Sequence, residues 1–297
     1  MTHDSRLEVR PGSVTPTTDA RSAIELFTRS LDLPQARVLV PAYYGQSPRE
    51  GSGVADAFDR AGAALVPYRV DRNLHIDVDD VRRRLRESVD LLMVVHYFGW
   101  PDPSLDEVLA LADSHGVPVL EDEAHALLSD IVGGVCGRSG AAAAISVNKS
   151  FETSGGLLVV NDGRTDGTTA ERLLQDVVGV DLVDEAGRRR ADASAIIGLA
   201  RERQLALLRD LVPDGVVPLN VPVLVPPHRR QPVYEAMHAA GYPVACLYYQ
   251  LGPGIDRASF PDSQWLSDRL VNLPLRAAAS SEELTTMVDL LVEVSAG

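Results

Sequence analysis

Residues 91–125 read LLMVVHYFGWPDPSLDEVLALADSHGVPVLEDEAH, and the order of signals inside this stretch decides the fold. Leu91–His96 is a continuous apolar run of strand length, as expected for a strand covered on both faces. Ser104 and Glu107 have the Ser-x-x-Glu spacing of a capping box, which predicts a helix from Ser104 to His115 closed by Gly116. Val117–Glu121 (VPVLE) is then a second buried strand whose carboxyl end delivers Asp122. Two apolar strands joined by a helix describe a parallel pair.

The same alternation extends towards the N-terminus. Ala20–Leu31 places Ile24, Phe27 and Leu31 at helical spacing behind a Thr-Thr-Asp cap. Arg37–Pro41 is a short strand, Val54–Ala61 a helix closed by Gly62, Ala64–Val66 a strand and Val78–Ser88 a charged helix. The expected fold is α/β, with a mostly parallel central sheet and helices on both faces. Residues 1–215 are expected to form a large domain that includes the N-terminal segment, and residues 216–297 a small C-terminal α/β domain.

The composition narrows the function. The apolar fraction is 45% and the charged fraction 24%, values of a soluble globular protein. A net charge of −14 argues against nucleic acid or an anionic membrane as the main partner. The first residues, Met-Thr-His-Asp-Ser-Arg, have no apolar signal core, and the expected location is the cytoplasm. Cys136 and Cys246 have no metal or redox spacing and are expected to be reduced core residues.

Lys149 is the only lysine among 28 basic residues. Lysine, unlike arginine, can lose its proton and attack a carbonyl as a neutral amine. It follows a small apolar strand and precedes Gly155-Gly156 and another strand, a suitable place for a Schiff-base lysine. An arginine-biased genome that retained one lysine by drift is the alternative. Tyr43 and Tyr44, His96, Asp122 with His125, and Lys149 all follow apolar strands, and parallel sheets bind ligands at their carboxyl ends. An acid, a histidine three residues later and a downstream lysine fit pyridoxal 5′-phosphate. The lysine would hold the cofactor, the acid its pyridine nitrogen, the histidine its ring, and a helix start its phosphate. Each residue also has a structural reading: Asp122 as a helix cap, His125 and His96 as buried structural histidines.

On these residues the chain resembles the DegT/StrS family of pyridoxal-phosphate sugar aminotransferases, which have the aspartate-aminotransferase (type I) fold. Val95-His96-Tyr97-Phe98-Gly99 is similar to the family's Val-His-x-x-Gly segment. Glu121-Asp122-Glu123-Ala124-His125-Ala126 is similar to its Glu-Asp-x-Ala-His/Gln segment, and Ser146-Val147-Asn148-Lys149 to a Ser-x-x-Lys variant. Gly155–Val160 resembles the following strand, and Asp19-Ala20-Arg21-Ser22-Ala23 the phosphate-cradling helix start. The resemblance covers roughly residues 15–162. It implies catalytic roles for Lys149, Asp122 and His125, and cofactor contacts from these with Ser146, Ala20, Arg21, Tyr43, Tyr44 and His96.

Two departures stand out. Gly45 occupies the position that in the family often carries a ring-stacking aromatic, which leaves Tyr43 or Tyr44 to substitute. The segment from Asp162 to Gly215, long in the family, is compressed here. The expected function is transfer of an amino group from glutamate or glutamine to a keto-sugar, cyclitol or other small ketone, in sugar or secondary metabolism. Elimination, decarboxylation or condensation on the same cofactor is the alternative, followed by a non-catalytic binding or regulatory relative. Arg188–Arg190 and Arg229-Arg230 read as solvated charge runs. That leaves Arg21, Arg257 and Arg276 to grip an anionic acceptor, which favours one smaller than a nucleotide sugar. The resemblance also implies a two-fold homodimer.

Overall fold

The alternating pattern folds into two sheets in a computed structural model that describes residues 10–46, 53–161, 168–275 and 279–297. The first part of the chain forms β1 (Val14–Thr17), α1 (Ala20–Ser30), β2 (Arg37–Pro41), α2 (Ala55–Ala61), β3 (Ala64–Tyr68), α3 (Val78–Arg84) and β4 (Leu91–Val95). Next come α4 (Leu105–Ser114), β5 (Val119–Glu123), α5 (Leu127–Ile131), β6 (Ala142–Ser146), β7 (Gly156–Val160), α6 (Thr168–Val178) and α7 (Leu182–Glu202). The chain closes with β8 (Ala206–Leu207), β9 (Asn220–Leu224), α8 (Arg230–Ala239), α9 (Pro261–Ser267), β10 (Leu270–Pro274) and α10 (Ser281–Ala296).

The large sheet has the order β1-β7-β6-β5-β4-β2-β3. Strands β3, β2, β4, β5 and β6 are parallel, with β7 and β1 antiparallel to their neighbours at one edge. Alternation along each strand explains why both faces are apolar. Leu39, Leu92, Val94 and Val119 enter one core with Val81 of α3 and Val108 of α4. Val38, Val40, Leu91, Met93 and Leu120 enter another with Ile24 and Phe27 of α1 and Phe58 of α2. The expected α/β architecture, mostly parallel with helices on both faces, is what the structure shows.

The small antiparallel sheet, β10-β9-β8, packs under α7, α8 and α10. The expected boundary at residue 215 falls inside this unit. Ala193, Ile196 and Ile197 of α7 and strand β8 precede it, because α7 spans 21 residues and its second half turns an apolar stripe onto the small sheet. In the opposite sense, Phe260 and Leu266 lie beyond residue 215 and pack into the large cores.

Local signals are met unevenly. Asp19 caps α1 by accepting from the Ser22 N–H at 2.8 Å, and Ser280 with Glu283 forms a reciprocal capping box on α10. Ser104 sits at the start of α4 but its side chain makes no capping hydrogen bond; its backbone N–H donates to Asp102 Oδ1 at 2.8 Å. Strand β5 starts at Val119, two residues later than expected, because the Val117 N–H closes α4 on Ala112 O and Pro118 has no N–H. Cys136 and Cys246 are buried, and no disulfide joins them. Among the described residues no helix is long and apolar enough to cross a membrane.

Candidate active site

Strands β4, β5 and β6 run parallel and end side by side, with Val95 opposite Asp122 and Asp122 opposite Ala144. A cavity of about 230 Å³ opens at these ends, and Asp122, His125, Ser146 and Lys149 all line it. Asp19, Ala20 and Arg21 at the start of α1 close one side, and Leu247 with Tyr248 another. Six of the nine site residues expected from the sequence therefore meet in one cavity: Ala20, Arg21, Asp122, His125, Ser146 and Lys149.

Asp122 is buried at 5% exposure. Its Oδ1 accepts the Ala124 N–H at 2.8 Å, and its carbonyl accepts the His96 N–H. Burial pushes its carboxyl up to about 6, against the lowering effect of the Ala124 hydrogen bond and of the nearby Lys149. His125 is pinned from behind: its ring stacks on Phe98 at 5.6 Å and 14°, and its Nδ1 accepts the Phe98 N–H at 3.4 Å. That hydrogen bond leaves the imidazole proton on Nε2. Burial and the Lys149 charge lower the His125 pKa to about 3, so the ring is neutral at physiological pH. Phe98 adopts φ +61°, and Gly99 beside it φ +100°, where an added Cβ would lie 2.5 Å from Val217 O.

Ser146 ends β6 buried, its Oγ donating to Asn148 Oδ1 at 2.6 Å. Lys149 stands exposed at the cavity wall, and among the described residues no carboxylate pairs with its amine. Arg21 pairs with Asp19 at 3.1 Å. Gly156 lets β7 approach this corner, since a Cβ there would lie 2.5 Å from the Asp19 carbonyl carbon.

Tyr43, Tyr44 and His96 do not line the cavity. Tyr43 is fully buried and donates its hydroxyl to Leu247 O, and Tyr44 donates to Pro253 O at 3.4 Å. His96 follows Val95 and therefore points to the other face of the sheet, where its Nε2 meets Glu121 Oε2 at 2.8 Å. Burial alone would raise the Glu121 carboxyl, but His96 and the N–H groups of Gly140 and Gly137 hold it below the usual range. Sequence reasoning missed Tyr248 and Asn148. Asn148 lay within the stretch around Lys149, and the only hint of Tyr248 was the missing aromatic at Gly45.

A second cavity, about 530 Å³, continues from Asn148 and Lys149 past Phe151 to Arg188, Arg189 and Leu275. The arginine run is thus not a solvated face. Arg189 is 6% exposed, donates to Glu185 at 2.7 Å and to Ser150 O, and lies over the Phe151 ring. Arg188 pairs with Glu185 and Asp192, and Arg190 holds Pro213 O and Val216 O. Arg230 is likewise buried, on Leu270 O and Cys246 O. Arg257 pairs with Asp268 and lines neither cavity, and Arg276 lies outside the described residues.

Residues 52–181 match the sequence profile of the DegT/DnrJ/EryC1/StrS aminotransferase family. Over that segment, less than half of the chain, the sequence is similar to this family. The segment holds Asp122, His125, Ser146 and Lys149, whereas the α1 corner and Tyr248 lie outside it. The chain is similar to the spore coat polysaccharide biosynthesis protein SpsC of Bacillus subtilis (strain 168), 33% identical over 120 residues, 39% of this chain. The match spans about a third of that relative, 31% of its length. In three dimensions it resembles the aminotransferase TlmJ of Streptoalloteichus hindustanus (TM-score 0.75, 20% identity, covering 95% of this chain and 86% of TlmJ). It also resembles Helicobacter pylori PseC, an aminotransferase of pseudoaminic acid biosynthesis (TM-score 0.76, 15% identity, covering 96% and 87%).

The DegT/DnrJ/EryC1/StrS enzymes depend on pyridoxal 5′-phosphate, and the donor set here suits that group. One wall offers a primary amine, the floor a buried carboxylate, and the far corner a helix start with hydroxyl and amide groups. The close approach that Gly156 permits keeps that corner narrow.

Proposed function

We propose that this chain is a pyridoxal-phosphate-dependent aminotransferase that moves an amino group from glutamate or glutamine to a small ketone, such as a keto-sugar or a cyclitol. The observation that carries the reading is the meeting of the chain's only lysine with a buried aspartate in one cavity at the strand ends. When bound, the cofactor supplies an electrophilic carbon for the amino group and a ring that accepts the electrons released as the substrate proton leaves.

The chain's own residues would do the rest. Lys149 would hold the cofactor through Nζ and, once the substrate amine displaces it, take up the substrate proton at Nζ and return it on the far side of the amine nitrogen. Asp122 would keep the pyridine nitrogen protonated, its carboxylate stabilised by the Ala124 N–H and by the charge it meets. His125, locked by Phe98, would cover one ring face. Ser146, Asn148 and the first-turn N–H groups of α1 would take the phosphate, since those N–H groups have no partner within the helix.

The second cavity would receive the acceptor, because it opens directly from Lys149. Its two arginines are already balanced by Glu185 and Asp192. Among the described residues little cationic grip is left there for a diphosphate, which supports an acceptor smaller than a nucleotide sugar. A two-fold homodimer belongs to the reading as well: Val177, Val180 and Val183 stand 43–63% exposed next to this cavity, and a second copy would cover them.

The test is a half-reaction. Cofactor-loaded protein mixed with glutamate or glutamine should lose its visible absorption and release the 2-oxo acid in equal amount. A panel of nucleotide-linked and free ketones then restores the starting spectrum, and efficient restoration by a nucleotide-linked ketone would overturn the small-acceptor assignment. Carbon dioxide or ammonia release without the spectral change would instead assign decarboxylation or elimination.

A further inference from the structure

Directly behind Asp122, on the other face of β5, lies a buried polar cluster that transamination does not use. Glu123 is 0% exposed, and among the described residues no N–H reaches its carboxylate oxygens; only the Cys136 thiol and the Asp130 carboxyl approach them. His96 is 0% exposed too; Glu121 holds its Nε2 at 2.8 Å, while among the described residues its Nδ1 has no partner. Cys136 is buried beside them, and one ligand atom from each of His96, Glu123 and Cys136 lies within 4.8 Å of the others. Gly137 makes the space, since a Cβ there would sit 1.8 Å from Glu123 Oε1.

A buried carboxylate with only a weak thiol donor and a second carboxyl beside it is costly, so something neutralises Glu123. A proton shared with Asp130, which faces it across Gly137, would satisfy the carboxylates. It would still leave His96 Nδ1 with no partner. A cation satisfies all three groups together.

We propose that His96 Nδ1, the Glu123 carboxylate and Cys136 Sγ bind a zinc-type divalent cation. Imidazole, carboxylate and thiolate are the ligand types zinc takes, at about 2.0–2.3 Å. The ligand atoms, which lie within 4.8 Å of one another, would draw in to that radius on binding, and a water molecule or Asp130 would complete the tetrahedron. The contact between Glu121 and His96 Nε2 is the carboxylate support that metal-bound histidines ordinarily have, and it fixes the tautomer that frees Nδ1 for the metal. Charge balances: Cys136 gives up its proton to solvent, and one thiolate and one carboxylate offset the dication. The ion ties the end of β4 to β5 and to the 136–140 turn that Glu121 already gathers. It is thus a structural ion under Asp122.

Elemental analysis and zinc-edge X-ray absorption of the dialysed holoenzyme, expressed with added zinc, test the site. About one zinc per chain is expected, with one sulfur in its shell, and zinc content should fall at least tenfold in Cys136→Ser and Glu123→Gln. A wild-type protein with under a tenth of a zinc per chain that takes up none on titration overturns the proposal. Zinc retained undiminished in both variants overturns it as well. Should the variants fail to fold, the wild-type spectrum decides alone, since a shell without sulfur excludes Cys136.

Discussion

A Cβ placed on Gly45 would lie 2.3 Å from Cδ1 of Tyr248, so the Tyr248 ring fills the space that a side chain at position 45 would occupy. Tyr43 packs edge-on against that ring at 5.3 Å and 61°, and the ring borders the cofactor cavity. An aromatic from the C-terminal part of the chain thus stands where the related enzymes often carry one on the N-terminal loop. Tyr248→Ala should weaken cofactor binding about tenfold, roughly 1.4 kcal/mol. Gly45→Phe alone should also weaken it by collision, and the double variant should recover affinity. Equilibrium titration of the apoprotein followed by absorbance measures this, and a Tyr248→Ala protein of unchanged affinity would remove Tyr248 from the site.

Lys149→Ala should leave no covalently held cofactor, because the chain has no second lysine to substitute. Borohydride reduction followed by mass analysis should find the cofactor mass on wild-type protein only. A labelled Lys149→Ala chain would refute the assignment.

Asp122→Asn preserves shape and removes the buried charge. The variant should bind cofactor within a few-fold of wild type and lose about 10²–10³ in kcat, roughly 3–4 kcal/mol, as for other preorganised groups. Near-normal turnover would reduce Asp122 to the cap of the turn at Ala124.

Ser129 concerns stability. Its buried hydroxyl donates towards Gly99 O at 2.7 Å and Val217 O at 3.1 Å, and accepts the Val217 N–H at 2.8 Å. It joins the 215–219 strap to the loop behind His125. Ser129→Ala leaves the Val217 N–H buried and unpaired, and should cost about 1–3 kcal/mol in denaturant unfolding. A loss below 0.5 kcal/mol, within the ~0.5 kcal/mol scatter of surface substitutions, would contradict this accounting.

Val177→Asp with Val183→Asp should convert a homodimer into monomers of much lower activity, judged by light scattering at assay concentration. A fully active wild-type monomer would remove the dimer from the proposal. Retained dimers in the double variant would move the interface elsewhere.

Much of this site was legible in one dimension. Asp122, His125, Ser146 and Lys149 each sit at or just after an apolar run, and in a parallel sheet neighbouring strand ends meet, so sequence order alone brought them together. The helix start at Asp19 was equally local, a cap three residues before the N–H it accepts. What only the tertiary structure decided depends on which way a side chain turns. Val95 and His96 are neighbours in sequence, yet the two-residue period of a strand sends Val95 into the cavity and His96 to the face with Glu121. Arg189 looks like solvated charge in a triple-arginine run, but its helix position carries it onto Phe151 and Ser150. Tyr248 reaches the site from some two hundred residues beyond Gly45, because packing of the last third of the chain against the sheet is a long-range contact that leaves no periodic signal. Local pattern determines where strands end; only packing decides what is carried to those ends from afar.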